Sequence, residues 1–208
     1  MPVVQVMSTF HSEARVPTAV GMFRLRIYGG PGDNGPIAII AGESFTPEPT
    51  AVRLHSACFI SENLGCLGCD CRQHLDFAMQ HIAAGGGVVV YLRREASGRG
   101  LADQIRKGAC RFSGPSPLHR ESFETAAMVL RDLGVRTVQL MTDDPGDADA
   151  LAQHGISVAG RIPLGVADGP SIDLTGAFPQ PALVHGQSLD GRTEGPELNV
   201  HAPSGHDD

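Results

Sequence analysis

Tryptophan is absent from the 208 residues and aromatic residues make up only 5% of them. That argues against the stacking platforms that bind single-stranded nucleic acid. A net charge of -7 argues against a broad nucleic-acid surface as well. No apolar run approaches the roughly 20 residues of a membrane-spanning helix. The start, Met1-Pro-Val-Val-Gln, has no basic segment leading into an apolar stretch, so no secretory leader is expected. No internal repeat is visible. These absences predict a cytoplasmic protein, free of membrane and nucleic acid, whose thiols stay reduced. Hydrophobic residues are 41% of the chain, enough for one good core.

Cysteine, by contrast, is concentrated. Four of the 5 cysteines fall between Cys58 and Cys71. Cys69 and Cys71 flank a single residue, and Cys58 lies upstream across a span that can loop away and return. Thiolates so placed can converge on one soft cation, and zinc suits sulfur donors without any redox change. Free cysteines also serve as small core residues, or pair as a disulfide. Four together, beside Gly65, Gly68 and Asp70, read as a metal site instead. A purely structural zinc takes four protein ligands, whereas a catalytic one keeps a place open for water. Cys66 is thus either a fourth ligand or a bystander.

Periodicity supplies the scaffold. Residues 15–29 alternate around Phe23, Leu25 and Ile27 and predict a strand. A Gly/Pro-rich turn follows, and Ile37 to Ala41 returns as the second strand of a hairpin. Val52 to Ser56 predicts a strand leading straight into Cys58. Leu75, Ala78, Met79 and Ile82 recur at helical spacing from about Arg72 to Gly85. Val88 to Leu92 is a β-branched run suited to a strand buried on both faces. Strand, helix, strand implies a crossover unit. A helix over Phe123 to Leu133, a strand over Thr137 to Met141, a short helix over Asp147 to His154 and a strand from Ile156 complete an α/β domain over residues 1–165. Residues 166–208, rich in Gly, Pro, Asp and Ser, read as a flexible tail.

Six of the 16 basic residues lie between positions 93 and 111: Arg93, Arg94, Arg99, Arg106, Lys107 and Arg111. On an acidic chain that is a local positive patch suited to an anionic ligand. The last three also fit a solvated helix face. The position of Glu95 to Gly100, after a buried strand and before a helix, is where anion-binding groups gather.

From about Ala14 to Leu164 the chain resembles GTP cyclohydrolase II, the family that opens the guanine imidazole ring at the start of riboflavin synthesis. Ala-Arg-Val-Pro-Thr-Ala-Val-Gly-Met-Phe is similar to that family's opening strand. Arg53-Leu-His-Ser, Cys58 and Cys69-Asp-Cys71 match its zinc motif in type and spacing. Tyr91-Leu-Arg-Arg-Glu95, then Gly100-Leu101 and Ile105-Arg106, resemble its strand and substrate loop. Leu133-Gly-Val-Arg, Leu140-Met-Thr142, Pro145 and Arg161-Ile-Pro-Leu resemble its closing section. The resemblance implies a three-layer α/β fold with a mixed sheet and a homodimer. It assigns Cys58, Cys69 and Cys71 to zinc with a water completing the site, and leaves Cys66 as the bystander. Zinc lowers the pKa of bound water toward about 7, so hydroxide can add to a ring carbon flanked by two nitrogens. Glu95 would accept paired N–H groups of a guanine-like ring. By the same resemblance Arg53, His55, Ser56, His74, Glu95, Ser97, Arg99 and Thr142 become substrate-binding candidates. Tyr91, His119 and Arg120 become catalytic candidates.

Several positions depart from the family pattern. Ala57 stands for a Glu, Ser97 for an Arg, His74 for a Gln, Gly108 for the active-site Tyr, and Asp147 for a phosphate-binding Lys. His119 and Glu121 fall where a catalytic Asp and Arg are expected, with Arg120 as a displaced stand-in. Each missing charge-assisted contact removes about 1.5–3 kcal/mol. The expectation is therefore a zinc-dependent cyclohydrolase acting on a guanine-like ring or another cyclic amidine, with fewer phosphates than GTP. Magnesium enters only with a phosphorylated substrate. The alternatives are the conventional GTP cyclohydrolase II reaction and a non-catalytic, zinc-stabilised protein that binds a nucleotide or a partner.

Overall fold

A computed structural model describes residues 10–29, 35–43, 45, 49–66, 68–93, 118 and 120–165. The expected tail at 166–208 and most of the basic patch lie outside the described residues, and so do Glu95, Ser97, Arg99, Gly108 and His119. Seven strands form one sheet: β1 (Phe10–Thr18), β2 (Gly21–Tyr28), β3 (Ile37–Ala41), β4 (Thr50–Ser56), β5 (Gly87–Leu92), β6 (Thr137–Met141) and β7 (Ser157–Ile162). Their spatial order is β1-β2-β3-β5-β4-β6-β7. The first three pair antiparallel, β3 meets β5 antiparallel, and β5, β4, β6 and β7 run parallel. The helices are α1 (Phe59–Leu64), α2 (Cys71–Gly85), α3 (Arg120–Asp132) and α4 (Gly146–Ala152). This is the α/β, mixed-sheet architecture that the sequence implies.

The strand period of two decides what each face receives. Val52, Leu54, Val88, Val90 and Leu92 pack with Phe123, Ala126 and Leu130 of α3 and Leu151 of α4. Val89 and Phe23 pack on the opposite face with Ala78 and Ile82 of α2. Arg53 and His55, the odd residues of β4, therefore share the face of α1 and α2. The chain leaves β4, crosses through α1 and α2 to β5 on one side, then passes through α3 to β6 on the other. That reversal makes the carboxyl end of β4 a topological switch point, where open α/β sheets bind ligands.

The predicted strand over 15–29 is in fact a hairpin, β1 and β2, turning at Ala19 and Val20. Thr18 closes the turn: its hydroxyl donates to the Gly21 carbonyl at 2.8 Å and accepts the Val20 N–H at 3.3 Å. β1 is a sheet edge, and residues 11–20 are exposed except the half-buried Val16. Its Glu13 takes ion pairs from Arg24 and Arg26 of β2. Arg26 and the Tyr28 hydroxyl reach Asp132 at the end of α3 at 3.0 and 2.8 Å. The span after Cys58, expected to be a loop, contains α1. The last strand continues to Ile162, past the expected four residues. No helix among the described residues is long and apolar enough to cross a membrane.

Gly87 sits where β5 passes close to both β4 and Ile82 of α2. Its φ is 145°, and a Cβ there would collide with the Ala51 carbonyl and sit 2.8 Å from Ile82 Cγ2. Replacing Gly87 by Ala should destabilise the protein by roughly 2–4 kcal/mol, from backbone strain plus overpacking. Urea unfolding would measure it, and a loss under about 0.5 kcal/mol, the range of a bland surface change, would refute this packing.

Candidate metal centre and its cleft

Cys58 sits two residues past the end of β4 and precedes α1. α1 stops at Gly65, whose φ of 65° is left-handed, and the Gly65 and Cys66 N–H groups cap the Ser61 and Ile60 carbonyls. The chain doubles back so that Cys69 and Cys71 return to Cys58. Two contacts hold the doubling. The buried Ser61 hydroxyl accepts the Arg72 N–H at 3.1 Å, and the Arg72 guanidinium donates to the Glu62 carbonyl at 2.9 Å.

The sulfurs of Cys58, Cys69 and Cys71 lie within 4.8 Å of one another, and Cys58 and Cys69 are 4.0 Å apart. Cys66 is outside that group; its sulfur faces the Gly68 N–H at 3.4 Å. Cys71 is the first residue of α2, where the helix N-terminus favours a thiolate. Hydrogen bonding with Cys69, burial and the charges of Cys69 and Cys58 together push the Cys71 thiol far upward. Sulfurs this close can share one cation, which would draw off the Cys71 proton on binding. The donor set suits one thiophilic ion, with a coordination place left free of cysteine.

Glu62, which sequence reasoning passed over, organises the rest. Its Oε1 accepts the Cys58 N–H at 2.6 Å and lies 3.0 Å from His55 Nε2. Its Oε2 accepts the Tyr91 hydroxyl at 2.6 Å. Burial raises its pKa, but the bonds from His55, Tyr91 and the Cys58 amide outweigh it and hold the carboxyl below its ordinary value. The only signal in the sequence was a carboxylate four residues after a candidate ligand, one helical turn on. α1 is too short to show a period.

Arg53, His55, Ser56, His74 and Thr142 all line one cleft beside Cys71, at the carboxyl ends of β4 and β6. Five of the expected substrate-binding residues thus converge. Arg53 is buried and donates to the Met141 carbonyl at 2.8 Å; burial lowers its pKa while Asp147 and Asp143 hold it up. Among the described residues its Nε has no hydrogen-bond partner, nor do Nδ1 of His55 and Nδ1 of His74. Thr142 donates to Asp147 at 2.6 Å and accepts the Asp144 N–H at 3.1 Å. Burial and the charge of Asp144 raise the Asp147 carboxyl against the pull of Thr142 and Arg53. Of the catalytic candidates, Tyr91 turns to Glu62, and Arg120 is exposed at the start of α3, away from the cleft lining.

The sequence and fold are similar to those of known proteins. The profile described as GTP cyclohydrolase II matches residues 9–163. The chain is 32% identical over 168 residues to a GTP cyclohydrolase-2 of Neisseria meningitidis, covering 76% of this chain and 85% of that protein. It is 37% identical over 164 residues to a probable monofunctional riboflavin biosynthesis protein, RIBA 3, chloroplastic, of Oryza sativa, covering 73% and 31%. A solved structure of RibBX, a two-domain 3,4-dihydroxy-2-butanone 4-phosphate synthase from A. baumannii, aligns with TM-score 0.48 and 20% identity over 74% of this chain and 40% of that one. The chain spans 31% and 43% of the length of two curated relatives, so it matches only part of them.

Serine in place of Cys58, Cys69 or Cys71 should strip bound zinc on dialysis, whereas Cys66→Ser should retain it. Elemental analysis of the purified variants reads the difference, and loss of metal from Cys66→Ser would place a fourth sulfur on the ion. His74 gives a pH test. Burial, then the Arg53 charge, hold its imidazole below the ordinary value of 6.5. The unfolded chain therefore binds a proton first as pH falls. The contribution is complete above about pH 6.5 and is lost progressively below it. His74→Gln should flatten that part of the stability–pH curve, measured by denaturant unfolding between about pH 7 and 5.

Proposed function

This chain belongs to the GTP cyclohydrolase II family, and from that membership we propose that it hydrolyses the imidazole ring of GTP, giving a diaminopyrimidine, formate and pyrophosphate. The observation that carries the reading is the three-sulfur group of Cys58, Cys69 and Cys71 set beside a cleft at the carboxyl end of β4. The names of the relatives support the conventional reaction better than the altered heterocycle expected from the substituted positions.

The roles follow from chemistry. Cys58, Cys69 and Cys71 would hold zinc, which when bound supplies a Lewis acid and makes a coordinated water acidic near neutral pH. Arg53, buried at the cleft, offers a fixed positive charge to substrate oxygens. His74, neutral above about pH 6.5, offers an imidazole nitrogen to an N–H or O–H group. Thr142 is held by Asp147 and orients the β6 end of the cleft. Glu95 remains the proposed partner of the guanine N–H pair.

A second reading, a guanine nucleotide with fewer phosphates, is favoured by one feature. Asp143, Asp144 and Asp147 stand along the cleft, and carboxylates repel a polyphosphate. Zinc-loaded protein should be offered GTP, GDP, GMP and guanosine, with formate release and product mass recorded. Turnover of GTP above the others supports the family reaction. Preference for GMP or guanosine would replace it with the second reading, and formate from none of them would remove both.

A further inference from the structure

The Glu62 carboxylate can only accept hydrogen bonds. Its Oε1, 3.0 Å from His55 Nε2, therefore requires Nε2 to carry the proton. In a neutral imidazole a proton on one nitrogen leaves a lone pair on the other. That other atom, Nδ1 of His55, is buried without a hydrogen-bond partner among the described residues, in a ring that lines the cleft. Tyr91 braces the arrangement. Its hydroxyl donates to Glu62 Oε2 at 2.6 Å, and its ring stacks on His55 with centroids 5.6 Å apart and planes at 24°. Adjacent parallel strands, paired at His55 and Tyr91, fix the two rings relative to each other.

We propose that Glu62 is a positioning residue that locks His55 in the Nε2–H tautomer, so that Nδ1 meets the bound heterocycle as an acceptor for one of its N–H groups. Glu62 touches no substrate in this scheme. It acts through His55, and its bond to the Cys58 amide ties the same carboxylate to the metal-ligand stretch. The substrate half of the inference rests on the cyclohydrolase reading; the tautomer half does not.

The test uses whole protein, zinc-loaded and isotopically labelled at the histidine nitrogens. Long-range proton–nitrogen correlation NMR reports which ring nitrogen bears the proton, and His55→Asn identifies the His55 signals by their loss. Wild-type protein should show the Nε2–H form. Glu62→Leu and Glu62→Ala remove the acceptor and should move His55 toward the Nδ1–H form, with zinc content and circular dichroism unchanged. Glu62→Gln keeps an oxygen at the Oε1 position and should keep the wild-type tautomer. Turnover of GTP should fall about 10- to 100-fold in the Leu and Ala variants, in kcat more than in KM, and recover in the Gln variant.

A wild-type His55 protonated at Nδ1 would overturn the proposal. So would an unchanged tautomer in folded Glu62→Ala protein, or an activity loss that only follows lost zinc. If Glu62→Leu does not fold, Glu62→Ala and Glu62→Gln carry the comparison. Wild-type protein that releases no formate removes the reaction proposed above, and the tautomer measurement then decides on Glu62 alone.

Discussion

Three sulfurs confined within 4.8 Å are the constraint on which the site depends. Thiolates that close repel one another, and the repulsion is relieved by keeping a proton on Cys71 or by a shared cation. The local fold is shaped to sustain that closeness. β4 ends short of Cys58, α1 makes less than two turns, and Gly65 reverses the chain. The Ser61 and Arg72 contacts then clamp the start of α2 against α1. None of these contacts is strong alone, at about 1 kcal/mol each. Together they tie the start of α2 to α1 and so hold the cysteine-bearing ends of the two helices near each other.

The cleft beside the sulfurs follows a second electrostatic rule. A buried guanidinium is costly unless compensated. Among the described residues Arg53 has one hydrogen bond, to Met141, and is balanced at longer range by Asp147 and Asp143. Those carboxylates are in turn placed by the β6 end, where Thr142 binds Asp147 and the Asp143 carboxylate accepts the Leu164 N–H at 3.0 Å. Charge of both signs therefore faces the same space. Specificity there comes from where each group is pinned, since net charge alone would not distinguish an anionic ligand from a neutral one.

The parts that were legible in the sequence were those written in period or composition. The buried run at Val88 to Leu92, the helix through Ala78 and Ile82 and the helix through Phe123 and Leu130 stand where their spacing placed them. Cys58, Cys69 and Cys71 converge as their spacing suggested; Arg53, His55, Ser56, His74 and Thr142, singled out by the family resemblance and not by period or composition, line one cleft. The failures have physical causes. The turn at Ala19 and Val20 is made by a Thr hydroxyl and carries no Pro or Asn, so β1 and β2 read as one strand. α1 is six residues long, shorter than any helical period can register. Glu62 was invisible for that reason: its importance lies in three bonds, to His55 of β4, to Tyr91 of β5 and to the Cys58 amide at the head of its own helix, and sequence spacing reports only the last of them.

The open edge at β1 has a consequence for solubility. An unpaired strand is a template for any extended segment that drifts against it. From His11 to Thr18 this edge carries Glu13 and Arg15, and Arg15 is held out by Glu43 at 2.9 Å. Pro17 has no amide hydrogen to offer an incoming backbone. A foreign strand would have to strip charge from water and skip a rung, so this edge is poorly suited to seeding fibrils.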